Sequence, residues 1–200
     1  MTQIELKYGA IVLTAPSGSG KSTIARHLEE AISGLRFSVS ATTRPPREGE
    51  ADGVHYHFLS EENFRKAIDA GEFLEYEEVY PGRFYGTLFE EIKRIDEEGP
   101  VLLDIDVNGA MRMKSFAGNS ALVLFIHPMS IEELSKRLQN RGTESPDWLA
   151  ERIKRAEMEL TFAEKCDHVI YNDVLEDAVT ETLQVVNQFL KAKQEQMART

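Results

Sequence analysis

Three features of this 200-residue chain predict an α/β fold with a parallel core sheet, flanked by helices and interrupted by a mixed insertion. Short apolar runs at residues 10–14, 101–105, 122–126 and 168–171 have the length and composition of strands covered on both faces. Segments with apolar residues every three or four positions lie between them, which is the strand-helix alternation of a parallel sheet. Between about residues 36 and 92 the alternation yields to a Pro- and Gly-rich loop and shorter strand patterns, which read as an insertion.

The first strand leads into Ala15-Pro16-Ser17-Gly18-Ser19-Gly20-Lys21-Ser22-Thr23, and a helix follows with Ile24, Ala25, Leu28, Ala31 and Ile32 at helical spacing. In such a turn Gly18 and Gly20 let successive N–H groups converge on a phosphate, and the helix N-terminus adds positive potential. Lys21 then reaches the terminal phosphates, and the Ser22 hydroxyl is offered to magnesium. The pattern G-x-x-x-x-G-K-[ST] has glycine first, whereas Ala15 stands there in this chain. A nucleoside triphosphate is the expected ligand.

Gly34 closes the first helix, and residues 37–40 form the next strand. Residues 43–53 are a loop, residues 54–58 alternate like a strand, and Ser60 caps a helix that ends near residue 70 before Gly71. Residues 73–76 are extended. Thr87-Leu88-Phe89-Glu90 reads as a capping box for a helix carrying Ile92 and Ile95 and stopping at Gly99-Pro100. Ser130-Ile131-Glu132-Glu133 reads as a second box leading a helix to about residue 140. Ser145-Pro146 opens a long helix with Leu149, Ile153, Ala156, Leu160 and Ala163 on one face. A last amphipathic helix covers about residues 176–193, and the polar residues 194–200 are expected to fray.

Composition narrows the function. The chain is 42% hydrophobic and 28% charged, ordinary for one globular domain. A net charge of −11 argues against broad nucleic-acid binding, which needs a basic surface. Arg36, Arg44 and Arg47 nevertheless fall in a stretch without acids, and Lys136, Arg137, Arg141, Arg152, Lys154 and Arg155 form a later basic set, which suits a small phosphorylated ligand. The absence of a membrane-length apolar run or signal-peptide layout predicts a cytoplasmic protein without a membrane partner. A single cysteine, Cys166, excludes intrachain disulfides and a Cys-based zinc site and reads as a small buried hydrophobe. Asp104 ends a strand where a phosphate-binding fold places the carboxylate that orients magnesium, and Asp106 follows on the same side. No Asn-Lys-x-Asp motif is present for a regulatory GTPase.

As an ordered set the motifs resemble the guanylate kinase family from about Gly9 to about Phe189. They include the glycine turn, Ser38-Val39-Ser40-Ala41-Thr42-Thr43-Arg44-x-Pro46-Arg47, Gly53-x-x-Tyr56-x-Phe58, Glu72-Phe73-Leu74-Glu75 and Phe84-Tyr85-Gly86-Thr87. Leu103-Asp104-Ile105-Asp106-Val107-x-Gly109, Arg137-x-x-x-Arg141-Gly142-Thr143 and Tyr171-Asn172-Asp173 complete the set. The resemblance implies a P-loop NTPase-type core at about residues 8–35, 100–136 and 164–189. It also implies a GMP-binding lobe at 36–92 and a helical lid at 137–163, all within a domain at 8–189 that leaves a polar tail at 190–200.

The resemblance further implies transfer of the γ-phosphoryl group of ATP to GMP, and to dGMP as well, with Mg²⁺, in purine metabolism and GMP recycling. ATP is assigned to residues Ala15 through Thr23 and to Asn172 on its adenine side, and the metal to Ser22 and Asp104. GMP is assigned to Ser40, Arg44, Arg47, Tyr56, Glu75, Tyr85, Gly86, Thr87 and Asp106, and catalysis to Lys21, Arg44, Arg137, Arg141 and Arg152. The base chemistry agrees, because guanine's N1–H and N2–H₂ donors can both reach one carboxylate such as Glu75, whereas adenine N1 is an acceptor. A family module that binds phosphorylated peptide without catalysis would not need the intact Gly18, Gly20, Lys21 and Ser22, and a sugar-phosphate kinase would not need the base-reading Glu75, Ser40 and Thr87. Two departures from the family pattern are a turn at residues 78–85 that is one residue longer than usual, and Val174 after Asp173 where an acid is common.

Overall fold

The strand-helix alternation is realised in a computed structural model that describes residues 4–132, 134–135 and 146–199. In chain order the elements are β1 (Ala10–Thr14), α1 (Lys21–Ala31), β2 (Arg36–Phe37), β3 (Ala41–Thr42), β4 (His57–Phe58), α2 (Glu61–Asp69), β5 (Phe73–Tyr80) and β6 (Arg83–Leu88). Then come α3 (Phe89–Asp96), β7 (Val101–Asp104), α4 (Val107–Ala117), β8 (Ala121–His127), α5 (Pro146–Leu160), β9 (His168–Tyr171) and α6 (Leu175–Met197). Among the described residues no helix is long and apolar enough to cross a membrane.

The central sheet has five strands in the order β2-β7-β1-β8-β9, all parallel. Side chains alternate across a strand, so β1 feeds two cores at once. Val12 joins Leu103, Val123, Ile92, Ile95 and Met113 on the face covered by α3 and α4. Ile11 and Leu13 join Leu102, Leu124, Ile24, Leu28, Ala178 and Val186 on the face covered by α1 and α6. Burial on both faces explains why the central strands are continuous apolar runs.

The insertion builds a second sheet in the order β4-β3-β6-β5, with β3 and β4 parallel and the remaining pairs antiparallel. Helix α2 closes one face through Phe64, whose ring stacks on Phe73 at 4.3 Å and on Phe84 at 5.3 Å. Strand β5 carries two register shifts against β6, one between Phe73 and Glu75 and one between Glu78 and Tyr80. The second leaves Val79 without a partner on β6, a bulge next to the hairpin turn. Successive side chains of β5 point to opposite faces, so Phe73 packs in the insertion and Leu74 in the central core.

Several expected elements differ. Of the expected strand at 37–40 only Phe37 lies in the central sheet, in β2 with Arg36, and the chain then crosses to the second sheet at Ala41. Of residues 54–58 only His57–Phe58 is a strand, because the amides of Val54 and His55 fold back onto the Ala51 carbonyl. Strand β9 is an edge, with Tyr171 exposed and only Ile170 fully buried, so it is not covered like the central strands. Thr87 does not cap α3; Leu88 is the N-cap residue, without a side-chain hydrogen bond, and the Thr87 hydroxyl donates to Glu75 instead. Helix α4, which the sequence reading did not single out, is amphipathic: Val107, Ala110, Met113, Phe116 and Ala117 are buried, while Asn108, Arg112 and Ser115 are exposed on the opposite face. The last helix continues to Met197 past residue 193, since Lys193 is buried beside Ser120 and Gln196 donates to Glu5 at 2.9 Å. Glu133 and the predicted end of its helix lie outside the described residues, although the Leu134 amide donates to the Ser130 carbonyl.

The entry to β1 is fixed by one buried carboxylate. Asp96, at the end of α3, accepts the backbone amides of Lys7 at 2.6 Å, Tyr8 at 2.9 Å and Gly9 at 3.1 Å. Replacing it strands these donors, so Asp96→Ala is expected to lower unfolding free energy by about 3 kcal/mol in urea titrations while leaving substrate KM values unchanged.

Candidate active site

The glycine turn leaves the C-terminal end of β1 and closes at once into α1, where the amides of Thr23 and Ile24 both donate to the Gly20 carbonyl at 3.1 Å. Gly18 and Gly20 have φ near +93° and +89°, a conformation that side chains disfavour. A Cβ on Gly20 would also overlap the Asn172 amide. Ala15 is 7% exposed and packs with Ile24 and Leu13, so its methyl group belongs to the core and does not obstruct the turn.

Parallel pairing of Leu13 with Asp104 brings the end of β7 level with this turn. The Lys21 ammonium pairs with Asp104 and lies 3.4 Å from the Ile105 carbonyl, and Ser22 Oγ is 3.3 Å from the other Asp104 oxygen. Asn172 is 4% exposed; its side chain donates to the Ser19 carbonyl at 2.7 Å, bracing the turn from the β9 side. Ser19 Oγ is buried without a hydrogen-bond partner among the described residues, while Ser17 is exposed.

A cavity of about 660 Å³ opens over the turn. Its walls are residues of the turn, Asp104 to Asp106 beyond β7, Glu77 and Glu78 of β5, and Arg152, Arg155 and Glu159 of α5. Arg155 joins three parts of the molecule: it donates to Glu77 at 2.9 and 3.1 Å and to Glu159 at 3.0 Å, and lies 3.7 Å from Asp106. Burial pushes the Glu159 carboxyl up, against the opposing hydrogen bond from Arg155. Among the described residues no group of three or more His, Cys, Asp or Glu side chains is placed to hold a metal. Ser22 Oγ and Asp104, the pair assigned to magnesium from the sequence, stand 3.3 Å apart at the turn.

Asp106 connects the cavity to the insertion. Its carboxylate caps α4 by accepting the Gly109 amide at 2.8 Å, and a Cβ at Gly109 would meet Glu75 Cγ at 2.6 Å, so α4 and β5 approach closely here. Glu75 accepts the Thr87 hydroxyl at 2.7 Å. Burial raises the Glu75 carboxyl above the ordinary range, with the Thr87 bond opposing and the charges of Asp106 and Glu77 adding to the rise. Gly86 is buried in the middle of the second sheet, paired with Ala41 and Tyr76.

Farther along the lobe, Arg44 is 7% exposed and packs against both Tyr56 and Phe58, its guanidinium carbon 5.3 and 5.7 Å from the two ring centres. The Tyr85 ring stands 5.9 Å from that of Tyr56. Ser40 is half-buried, its carbonyl accepting the His57 amide, and the Arg47 side chain is exposed. The expected site residues thus fall into a turn cluster, a Glu75–Thr87–Asp106 cluster and an Arg44–Tyr56–Tyr85 cluster. Arg137 and Arg141 lie outside the described residues. Sequence reasoning did not single out Glu50, Glu77 or Glu159, and it named Arg155 only within a basic set. The i,i+4 spacing of Arg155 and Glu159 was the available signal for that pair.

A parallel sheet whose central strand runs through a glycine turn into a helix, beside a strand ending in a carboxylate, defines a P-loop NTPase fold. A guanylate kinase family model matches residues 7–190. Guanylate kinase from Salinibacter ruber is 56% identical over 182 residues, covering 91% of this chain and 97% of the relative. That of Bacteroides thetaiotaomicron is 51% identical over 181 residues, covering 90% of this chain and 89% of the relative. The crystal structure of guanylate kinase from Anaplasma phagocytophilum aligns with a TM-score of 0.68 at 31% identity, covering 92% of this chain and 87% of that one. The chain belongs to the guanylate kinase family.

Because Asn172 holds the turn through Ser19, Asn172→Ala is expected to weaken binding of a non-hydrolysable ATP analogue about tenfold, by loss of a buried hydrogen bond. Calorimetric titration checks this, with GMP affinity expected to stay unchanged.

Proposed function

We infer that this chain is an active guanylate kinase, transferring the γ-phosphoryl group of ATP to GMP, and to dGMP, to yield ADP and GDP. The observation that carries this reading is the cavity in which Lys21, Ser22 and Asp104 at the turn meet Asp106, which adjoins the Glu75–Thr87 pair. One end is built for polyphosphate and the other for a base edge rich in donors.

In this reading residues Ala15 through Thr23 cradle the donor phosphates, and Lys21 exchanges its Asp104 partner for phosphate oxygens. Ser22 and Asp104 are hard-oxygen donors of the kind Mg²⁺ takes in small number, with phosphate and water completing its shell. When bound, the ion would neutralise charge on the donor phosphates. Glu75 accepts guanine's N1–H and N2–H₂, while Thr87 and Ser40 serve its other polar atoms. Arg44, Arg47, Tyr56 and Tyr85 hold the monophosphate, near Gly86 and Asp106. That phosphate is largely dianionic near neutral pH, its second pKa being about 6, so no protein base has to deprotonate it. Catalysis rests on alignment and charge stabilisation, with Arg152, Arg137 and Arg141 of a lid at 137–163 closing on the transferring group. The core and GMP lobe of this reading are the segments set out from the sequence, and its setting is cytoplasmic purine metabolism and GMP recycling, with neither nucleic acid nor membrane as partner.

Two measurements test it. Lys21→Ala should reduce kcat by about 10²-fold or more with an unchanged circular dichroism spectrum, because Lys21 meets charge that shifts during transfer. A near-normal kcat at saturating ATP would defeat the catalytic assignment.

Glu75→Gln should lower kcat/KM for GMP by a factor corresponding to about 1.5–3 kcal/mol and narrow the gap to AMP, a poor substrate for the parent. The ionised Glu75 is the acceptor, and burial raises its carboxyl pKa. Its protonated, non-binding form therefore accumulates at a higher pH than for an ordinary glutamate. As pH falls, kcat/KM for GMP should drop through that raised range, and the step should vanish in Glu75→Gln.

A further inference from the structure

Arg44 is not an open cationic surface. A guanidinium carries five N–H donors in one plane, arranged as an end fork (Nη1 and Nη2) and a side fork (Nε and Nη2). The end fork is taken by one carboxylate: Nη1 donates to Glu50 Oε2 at 2.8 Å and Nη2 to Glu50 Oε1 at 2.7 Å. The other Nη1 proton goes to the Pro45 carbonyl at 2.8 Å. What remains is the side fork, on a guanidinium that lies beside both Tyr56 and Phe58 and also meets the Tyr85 hydroxyl.

Glu50 is anchored in turn. Its Oε2 also accepts the Arg47 amide at 2.6 Å, and its own amide donates to the Arg47 carbonyl at 3.1 Å, closing the loop between the two arginines. These bonds hold the carboxyl at about 2, chiefly through the Arg44 hydrogen bond and then the Arg47 amide, so the pair stays charged throughout the working pH range.

We propose that Glu50 is a positioning residue for GMP: by occupying the end fork of Arg44 and tying down the Arg47 backbone, it directs the Arg44 side fork to the monophosphate. The inference rests on the reading of Arg44 as a phosphate ligand. Without Glu50, Arg44 keeps its charge and loses its orientation. A bidentate phosphate contact is sensitive to such a rotation in a way that a point charge is not. Glu50 touches no reacting atom, so the effect belongs in GMP affinity more than in turnover.

The experiment is steady-state kinetics on the full chain with Glu50→Gln, Arg44→Lys and the double variant. Glu50→Gln should raise KM for GMP about tenfold, with kcat changed less and KM for ATP within about twofold of the parent. In the Arg44→Lys background, which has no fork to orient, Glu50→Gln should add little. An unchanged KM for GMP in Glu50→Gln, or an equal added effect in the Arg44→Lys background, overturns the proposal and leaves Arg44 as a ligand. An Arg44→Lys variant with unchanged KM for GMP overturns the underlying reading as well. If Glu50→Gln does not fold, Glu50→Asp, which keeps the charge but shortens its reach, is judged by the same criteria.

Discussion

The parallel pairing of β1 with β7 places Leu13 beside Asp104, and the site depends on that register. A glycine turn that leaves β1 at Thr14 emerges level with the carboxylate ending β7, so Lys21 and Ser22 in the first turn of α1 meet Asp104 without any long-range adjustment. A slip of one residue would reverse the faces of β7, exchanging Leu102 and Leu103 between the two cores and turning Asp104 away from the glycine turn. Because β8 pairs with the other side of β1, the crevice sits where connections diverge to opposite sides of the sheet, the usual position for a ligand in open α/β folds.

Charge around the cavity follows a second rule: cations are oriented by carboxylates before any ligand arrives. Lys21 rests on Asp104, Arg155 on Glu77 and Glu159, and Arg44 on Glu50. An acidic chain can therefore bind phosphates, since its acids at the site hold basic groups in place. Long flexible side chains lose rotamer freedom when they bind, and fixing them in advance reduces that loss.

Much of this was legible from local rules. Apolar runs buried on both faces, a glycine-bearing turn between strand and helix, and an aspartate at a strand end announce themselves over a few residues. What depended on packing was not. Tyr171 is exposed because β9 is an edge strand, a matter of strand order rather than composition. Thr87 has the spacing of a cap, yet it is a β6 residue paired with Glu75, to which its hydroxyl donates, and the helix starts one residue later with Leu88 as N-cap. Asn172 braces the turn across 153 positions of chain. The role of Glu50 requires the loop conformation that returns its carboxylate to both arginines.

The placing of the adjacent Phe73 and Leu74 in separate cores has a mechanical consequence. Leu74 is 1% exposed among Leu6, Val12 and Ile92, while its neighbour Phe73 stacks on Phe64 within the insertion. Leu88 and Phe89 repeat the arrangement at the end of β6, so the two cores are joined at both pairs. Melting the insertion would tug a leucine from the central core, and loosening that core would disturb the aromatic stack above it. Unfolding is thereby coupled across the boundary, and excising the insertion at its chain junctions would leave a leucine-sized void in the remaining protein.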